Sequence, residues 1–152
     1  MIFAGWAALG CLLLTLPGWA VEPGVKVQFA GGTVAGLAKS GARIDLSDGE
    51  TLRFIDGANT LQIPYVKINT LEYGQNVSRR YAEAVLLSPV FLLAKSRKHF
   101  VTLGYVDADG KQQAIVFRVG KGDIRSVLAA LEARTGRRVE FQDQEARKAG
   151  KG

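Results

Sequence analysis

His99 is the only histidine in the chain and Cys11 the only cysteine. Acid–base or nucleophilic chemistry would have to run through one of these, through a serine, or through converging carboxylates. Lys98 precedes His99, and its charge disfavours the imidazolium form. No serine stands in a G-x-S-x-G elbow, so no hydroxyl is marked out as a nucleophile. Asp45 and Glu50 come nearest to a carboxylate pair, but both fall on a hairpin expected to be exposed. A metal site would need an H-x-x-x-H or a carboxylate cluster, and Asp107 with Asp109 ahead of Gly110 is explained by a turn. Neither Gly31-Gly32 nor Gly120–Gly122 is followed by Gly-Lys-Ser/Thr, so no phosphate loop is present. Asn76-Val77-Ser78 matches a glycosylation acceptor, a pattern too short to decide anything. The expectation is a protein that binds and does not catalyse, with no cofactor and no metal.

One stretch remains that chemistry of another kind could use. Ala84–Ala94 is almost wholly apolar, lacks strand alternation, and is bordered by Arg79-Arg80 before it and Lys95, Arg97 and Lys98 after it. As a helix it would reach only ~16 Å, about half a bilayer core, and Pro89 would kink it. It cannot span a membrane. It could dip into an interface with Leu86, Leu87, Val90, Phe91 and Leu92 buried, while Arg79, Arg80, Lys95, Arg97 and Lys98 meet anionic headgroups. The plainer alternative is an inserted helix packed on the domain or buried between two copies of the chain.

The two ends of the chain read differently from its middle. Residues 1–20 carry no charged side chain and run through an apolar core to Pro17 and then Gly18-Trp19-Ala20. Small residues at the −3 and −1 positions of a cut after Ala20 predict an export signal, although the usual basic front is missing. Alternatives are an uncleaved anchor, which the positive-inside rule would orient with the basic domain in the cytoplasm, or lipidation of Cys11. With Cys11 removed, the mature chain could hold no disulfide and no cysteine–zinc site. The tail Gln142–Gly152 is mostly polar and is expected to be disordered. Across 152 residues the net charge is +6, with 47% hydrophobic residues. That suits one globular domain and permits, without demonstrating, attraction to anionic surfaces. Arg137-Arg138 and the pairs around Ala84–Ala94 could touch nucleic acid, but no reading helix or aromatic stacking motif accompanies them.

What must position the insert is a set of strands. Val25–Ala30 alternates, with Val25, Val27 and Phe29 on one face and Lys26 and Gln28 on the other, until Gly31-Gly32 breaks it. Ala42–Ser47 sends Ile44 and Leu46 inward and Arg43, Asp45 and Ser47 outward. Asp48-Gly49 then predicts a hairpin turn into Thr51–Ile55. Asp56-Gly57-Ala58-Asn59 is turn chemistry, and Leu61–Ile63 is a short strand ended by Pro64. One helical turn near Tyr65–Ile68 leads to a strand Thr70–Gly74. Phe100–Asp107 and Gln113–Val119 form a further pair around Asp107-Ala108-Asp109-Gly110, with Val101, Leu103, Tyr105, Ile115, Phe117 and Val119 inward. Gly122–Gly136 is the one convincing amphipathic helix. Ile124, Val127, Leu128 and Leu131 make its apolar stripe, Asp123 is expected to cap its start, and Gly136 its end. The sum is a mainly β fold: about seven antiparallel strands curled into a partly open barrel, with Leu128 and Leu131 of the C-terminal helix plugging one end.

The run Gly41-Ala-Arg-Ile-Asp-Leu-Ser-Asp-Gly-Glu-Thr-Leu-Arg-Phe, with Leu61-Gln-Ile-Pro-Tyr-Val-Lys-Ile and Leu71-Glu-Tyr-Gly, resembles the front half of a bacterial PH-like or GRAM-like module. The likeness extends through Lys98–Val119 to the helix ending Glu132-Ala-Arg-Thr-Gly136, and together looks like a family of small exported bacterial proteins. It implies a PH-like barrel spanning 21–141, serving as a docking platform for lipid, peptide or protein. It transfers no binding residue, because Asp48-Gly49-Glu50 is acidic where a phosphoinositide site would want cations. The expected function is a non-enzymatic binding or scaffold module, exported to the periplasm or associated with the envelope membrane. Its expected partner is an anionic lipid surface or an envelope protein. The alternative is an oligomerising module, such as a homodimer, with the insert between chains and no lipid binding.

Overall fold

A computed structural model describes residues 24–34, 36–37, 41–75, 99–142 and 144–151. Eight strands run β1 Val25–Gly32, β2 Ala42–Asp45, β3 Thr51–Asp56, β4 Asn59–Pro64, β5 Ile68–Gly74, β6 His99–Val106, β7 Gln112–Val119 and β8 Glu140–Phe141. A 3₁₀ turn, Tyr65–Lys67, joins β4 to β5, and two helices follow β7: α1 Ile124–Thr135 and α2 Gln144–Lys151. The strand order is β4-β3-β2-β1-β7-β6-β5-β8. Two antiparallel meanders, β1–β4 and β5–β7, are therefore joined where β1 pairs with β7. The expected mainly β architecture, an open sheet capped by a helix, is what the chain forms. The short eighth strand, lying parallel to β5, is an addition to it.

The sheet curls because one face is apolar along nearly every strand. Val27, Phe29, Ile44, Phe54, Ile63, Leu71, Leu103, Ile115 and Phe117 belong to a single buried cluster that draws on both meanders. Phe54 meets Phe29 at 5.9 Å and Phe117 at 6.1 Å between ring centroids, tying β1, β3 and β7 across the interior. Ile124, Val127, Leu128 and Leu131 of α1 enter the same cluster, so the helix is the expected plug. Gly136 closes α1 in the left-handed conformation at φ 66°. At its C-terminal end Arg134 donates to the Asp48 carbonyl at 2.7 Å and lies over the Tyr65 ring, which fixes α1 to the β2–β3 loop and the 3₁₀ turn.

Several local expectations are corrected. Gly31-Gly32 does not end β1. The pair sits at a β-bulge, where the register on β7 shifts between Phe29 and Gly31, and a Cβ on Gly32 would come within 2.8 Å of the Ala114 carbonyl oxygen. Backbones approach too closely there for any side chain. Asp48-Gly49 is not a two-residue hairpin: pairing stops at Asp45↔Arg53, and the Asp48 carboxylate accepts the Glu50 and Thr51 N–H groups instead. Asp45, read as outward, is only 1% exposed. Its carboxylate accepts from Ser47 N–H at 2.9 Å, Ser47 Oγ at 2.6 Å and Arg53 Nη2 at 2.5 Å, which turns the chain inward and ends β2. Asp123 makes no side-chain cap, since its backbone is already helical and its carbonyl serves Ser126 and Val127. The tail expected to be disordered is helical in α2, and Ala146 is buried in the core cluster.

Candidate functional site

The residues singled out for membrane or partner contact are Arg79, Arg80, Leu86, Leu87, Val90, Phe91, Leu92, Lys95, Arg97 and Lys98. All of them, with the whole of Ala84–Ala94, lie outside the described residues. Their points of attachment do not. Gly74 pairs with Phe100, so residues 76–98 leave and rejoin the sheet at neighbouring strand ends. His99 pairs with Val119, and Val119 in turn with Val27. One end of the sheet thus gathers the start of β1, the end of β5, the start of β6 and the end of β7.

His99 stands at this end as a fastening between strands. Its Nδ1 shares a hydrogen bond of 2.5 Å with the Tyr73 hydroxyl, and the two rings stack at 6.0 Å with 9° between planes. Tyr73 is fully buried and takes the edge of Phe141 at 5.9 Å. Burial lowers the His99 pKa below its usual value, and the positive field of Lys121 adds to that. The imidazole, bound to a buried phenol, joins β5 to β6. The carboxylates considered for acid–base work do not converge. Ser47 and Arg53 hold the Asp45 pKa below its usual value, so it is ionised and already engaged. Glu50 is exposed on the loop beyond it. Among the described residues no group of three or more histidines, cysteines, aspartates and glutamates could hold a metal ion.

Two of the concavities lined by the described residues bear on binding. The first, about 540 Å³, lies over β2, β1 and β7 and is lined by Lys26, Gln28, Arg43 and Arg118 with Gly41 and Gly120. The register explains its shape. Lys26 stands opposite Arg43, and Gln28 opposite Arg118. Carrying each ladder one residue further sets Gly120 beside Lys26 and Gly41 beside Gln28. Each row therefore holds two adjacent long side chains and one glycine, and the glycines, at opposite outer corners, leave the hollow. Arg43 is steadied by donating from Nη2 to the Gly24 carbonyl at 2.9 Å. Among the described residues neither Lys26 nor Arg118 has an acidic partner, and no acid lines the cleft.

The second concavity, about 660 Å³, opens between the edge strand β4 and the β6–β7 turn. Val34, Leu61, Pro64 and Tyr105 give it an apolar wall, with Lys67 and Asp107 at its rim. Asp107 is bound by its own turn, accepting from the Asp109 and Lys111 N–H groups and from Gln113 Nε2. Neither concavity follows from one strand's pattern. Lys26 and Arg43 read only as outward positions, and their meeting with Arg118 depends on a pairing across most of the chain. No protein-family model matches this chain, and no curated protein matches it either.

Proposed function

We propose that the chain is a non-enzymatic docking module of the cell envelope, a PH-like platform that meets an anionic membrane surface through the apolar stretch 84–94 and its basic borders. One observation carries this reading: the strand ends from which residues 76–98 depart are also where cations collect. Arg118 and Lys121 flank the end of β7, Lys26 lies at the start of β1, and Lys98 is bonded directly to His99 at the start of β6. Gly24, which leads back to the apolar residues 1–20, opens β1 at the same end. Apolar chain flanked by converging positive charge is the composition of a shallow interfacial anchor, with each surface cation contributing about 1 kcal/mol at an anionic bilayer. The folded sheet supplies a rigid base from which that segment is presented. Among the described residues no helix is long and apolar enough to cross a membrane.

The test is co-sedimentation of the full chain with vesicles of phosphatidylcholine mixed with phosphatidylglycerol, beside a variant lacking 84–94. The deletion should weaken binding at low salt while leaving the circular dichroism of the fold intact. Equal binding by both chains removes the proposal. The oligomerising alternative predicts instead a concentration-dependent dimer in light scattering that the same deletion abolishes, and indifference to lipid.

A further inference from the structure

The cleft between the edge strand β4 and the β6–β7 turn holds about 660 Å³, a volume in the range of small-molecule sites. Val34 and Leu61, both packed against the core cluster, carry its apolar wall out to Pro64 and Val106. β4 ends the sheet, so no described strand lies beyond it to cover that wall. The polar groups divide into engaged and free. Gln113 ties Thr33 to Asp107, accepting from the Thr33 hydroxyl at 2.5 Å and donating to Asp107 Oδ2 at 2.7 Å. The Asp109 and Lys111 N–H groups fill Asp107 Oδ1. Tyr105 is 4% exposed and belongs to the core cluster, yet its hydroxyl makes no hydrogen bond among the described residues. The Tyr65 hydroxyl is sealed from water, whereas that of Tyr105 is not, and Tyr105 lines the cleft. Ile68 pairs with Tyr105, which brings Lys67, one residue earlier, to the same end of that strand pair. Lys67 forms no ion pair among the described residues, with Asp107 or any other acid.

We infer that this cleft binds a small amphiphile, an apolar chain ending in a carboxylate, as in a free fatty acid. Lys67 meets the charge of the carboxylate, the Tyr105 hydroxyl donates to one of its oxygens, and Val34, Leu61 and Pro64 take the chain. Burial, with the Asp107 charge nearby, raises the Tyr105 pKa, so the phenol keeps the proton it donates. A hydrogen bond to an ionised acceptor is the stronger kind, and lysine adds a compact point charge. A neutral alcohol would leave Lys67 unmatched. A hydrophilic anion would leave the apolar wall in water, whereas an acyl chain removes it from water. Tyr105 stands six residues along β6 from His99, about 20 Å from where residues 76–98 rejoin the sheet. The inference therefore does not rest on the membrane reading of 84–94.

The experiment titrates the full chain with decanoate below its micellar concentration, following the amide resonances of Leu61, Lys67 and Ala108. Decanol serves as the uncharged probe. Lys67→Met removes the charge and keeps the stem, Tyr105→Phe removes only the hydroxyl, and Lys111→Met removes a cation that does not line the cleft. Saturable shifts at the three amides support the site, with decanoate affinity lowered about tenfold or more by Lys67→Met and by Tyr105→Phe and kept in Lys111→Met. Decanol should bind more weakly, and Lys67→Met should leave it unchanged. Lys67 is exposed, so its variant tests the charge in an intact fold even where Tyr105→Phe disturbs the core. Absence of shifts at these amides, equal losses in Lys67→Met and Lys111→Met, or decanol binding as tightly as decanoate overturns the inference. Preferential binding of a capped strand-forming peptide, with shifts along β4, also overturns it, because the edge would then be a peptide dock. Deleting 84–94 should leave decanoate binding unchanged, and its loss would place the probe on that segment instead. The membrane reading fails on a different measurement, when the same deletion leaves vesicle binding unchanged.

Discussion

Leu131→Ala asks whether α1 is the cap of the open sheet or merely rests on it. Leu131 is 0% exposed and belongs to the cluster that unites both meanders. Truncation to alanine removes about three methylene equivalents, or about 2.4 kcal/mol at 0.8 kcal/mol each. A cavity term follows, because β-strands on several sides cannot all collapse inward, and the total should be about 3–4 kcal/mol. That is a large share of the stability of an ordinary domain. The assay is urea unfolding of the full chain, where the midpoint should fall while the slope stays constant. Val66→Ala is the comparison, since Val66 is 87% exposed on the 3₁₀ turn and its loss should stay within about 0.5 kcal/mol. If Leu131→Ala costs less than about 1 kcal/mol, the helix is not an integral part of the core and the platform argument loses its base.

Four further outcomes are expected. Asp45→Asn should lose about 2 kcal/mol, because a buried carboxylate holding Ser47 and Arg53 becomes a neutral amide that satisfies them less well. Since Asp45 is held below the ordinary aspartate value of 3.8, its contribution is present above that pH and is lost as pH falls from there through the lower folded value. The asparagine variant should therefore show a flatter acid limb. For His99 the sign is the same in a higher window: its folded pKa lies below 6.5, so stability is full above 6.5 and declines as pH falls from there toward the folded value. A proton titration by NMR, with one histidine in the chain, should give a value below 6.5, and His99→Gln should abolish that decline. Gly32→Ala should cost about 1–3 kcal/mol, because the clash is with the Ala114 backbone and cannot be relieved by a side chain turning away. Ala146→Glu should lower the urea midpoint by about 2 kcal/mol or more if α2 is docked as its burial indicates, and an unchanged midpoint would show that it is not.

Alternation made β1, β6 and β7 legible, because each buries one apolar face and the inward residues recur at every second position. Periodicity did the same for α1. What stayed hidden depended on partners far along the chain. Asp45 holds an outward parity position, yet Arg53 and the Ser47 hydroxyl draw it in, and no local pattern distinguishes such an aspartate from a solvated one. Gly31-Gly32 looks like a strand breaker in isolation and becomes a bulge only because β7 lies beside it. The tail helix is short and polar, and among its described side chains only Ala146 is buried, so nothing in its composition announces a docked element. Outer positions of β6 and β7 were equally silent. Phe100, Thr102, Ala114 and Val116 are all buried although they face away from the inner cluster.

The same division between faces decides how a binding result should be read. The inner face carries the fold: its cluster takes in residues from both meanders and the helix, and none of Lys26, Arg43 or Arg118 belongs to it. Substituting Lys26 or Arg118 removes no contact on which that cluster depends. It relieves like-charge repulsion when the replacement is neutral or acidic, so stability should hold or rise slightly. A loss of vesicle binding without a loss of stability would then be a statement about recognition alone. Residues whose removal stabilises a sheet while weakening binding are placed there at the expense of the fold, and that opposition separates a binding surface from an incidental patch of charge.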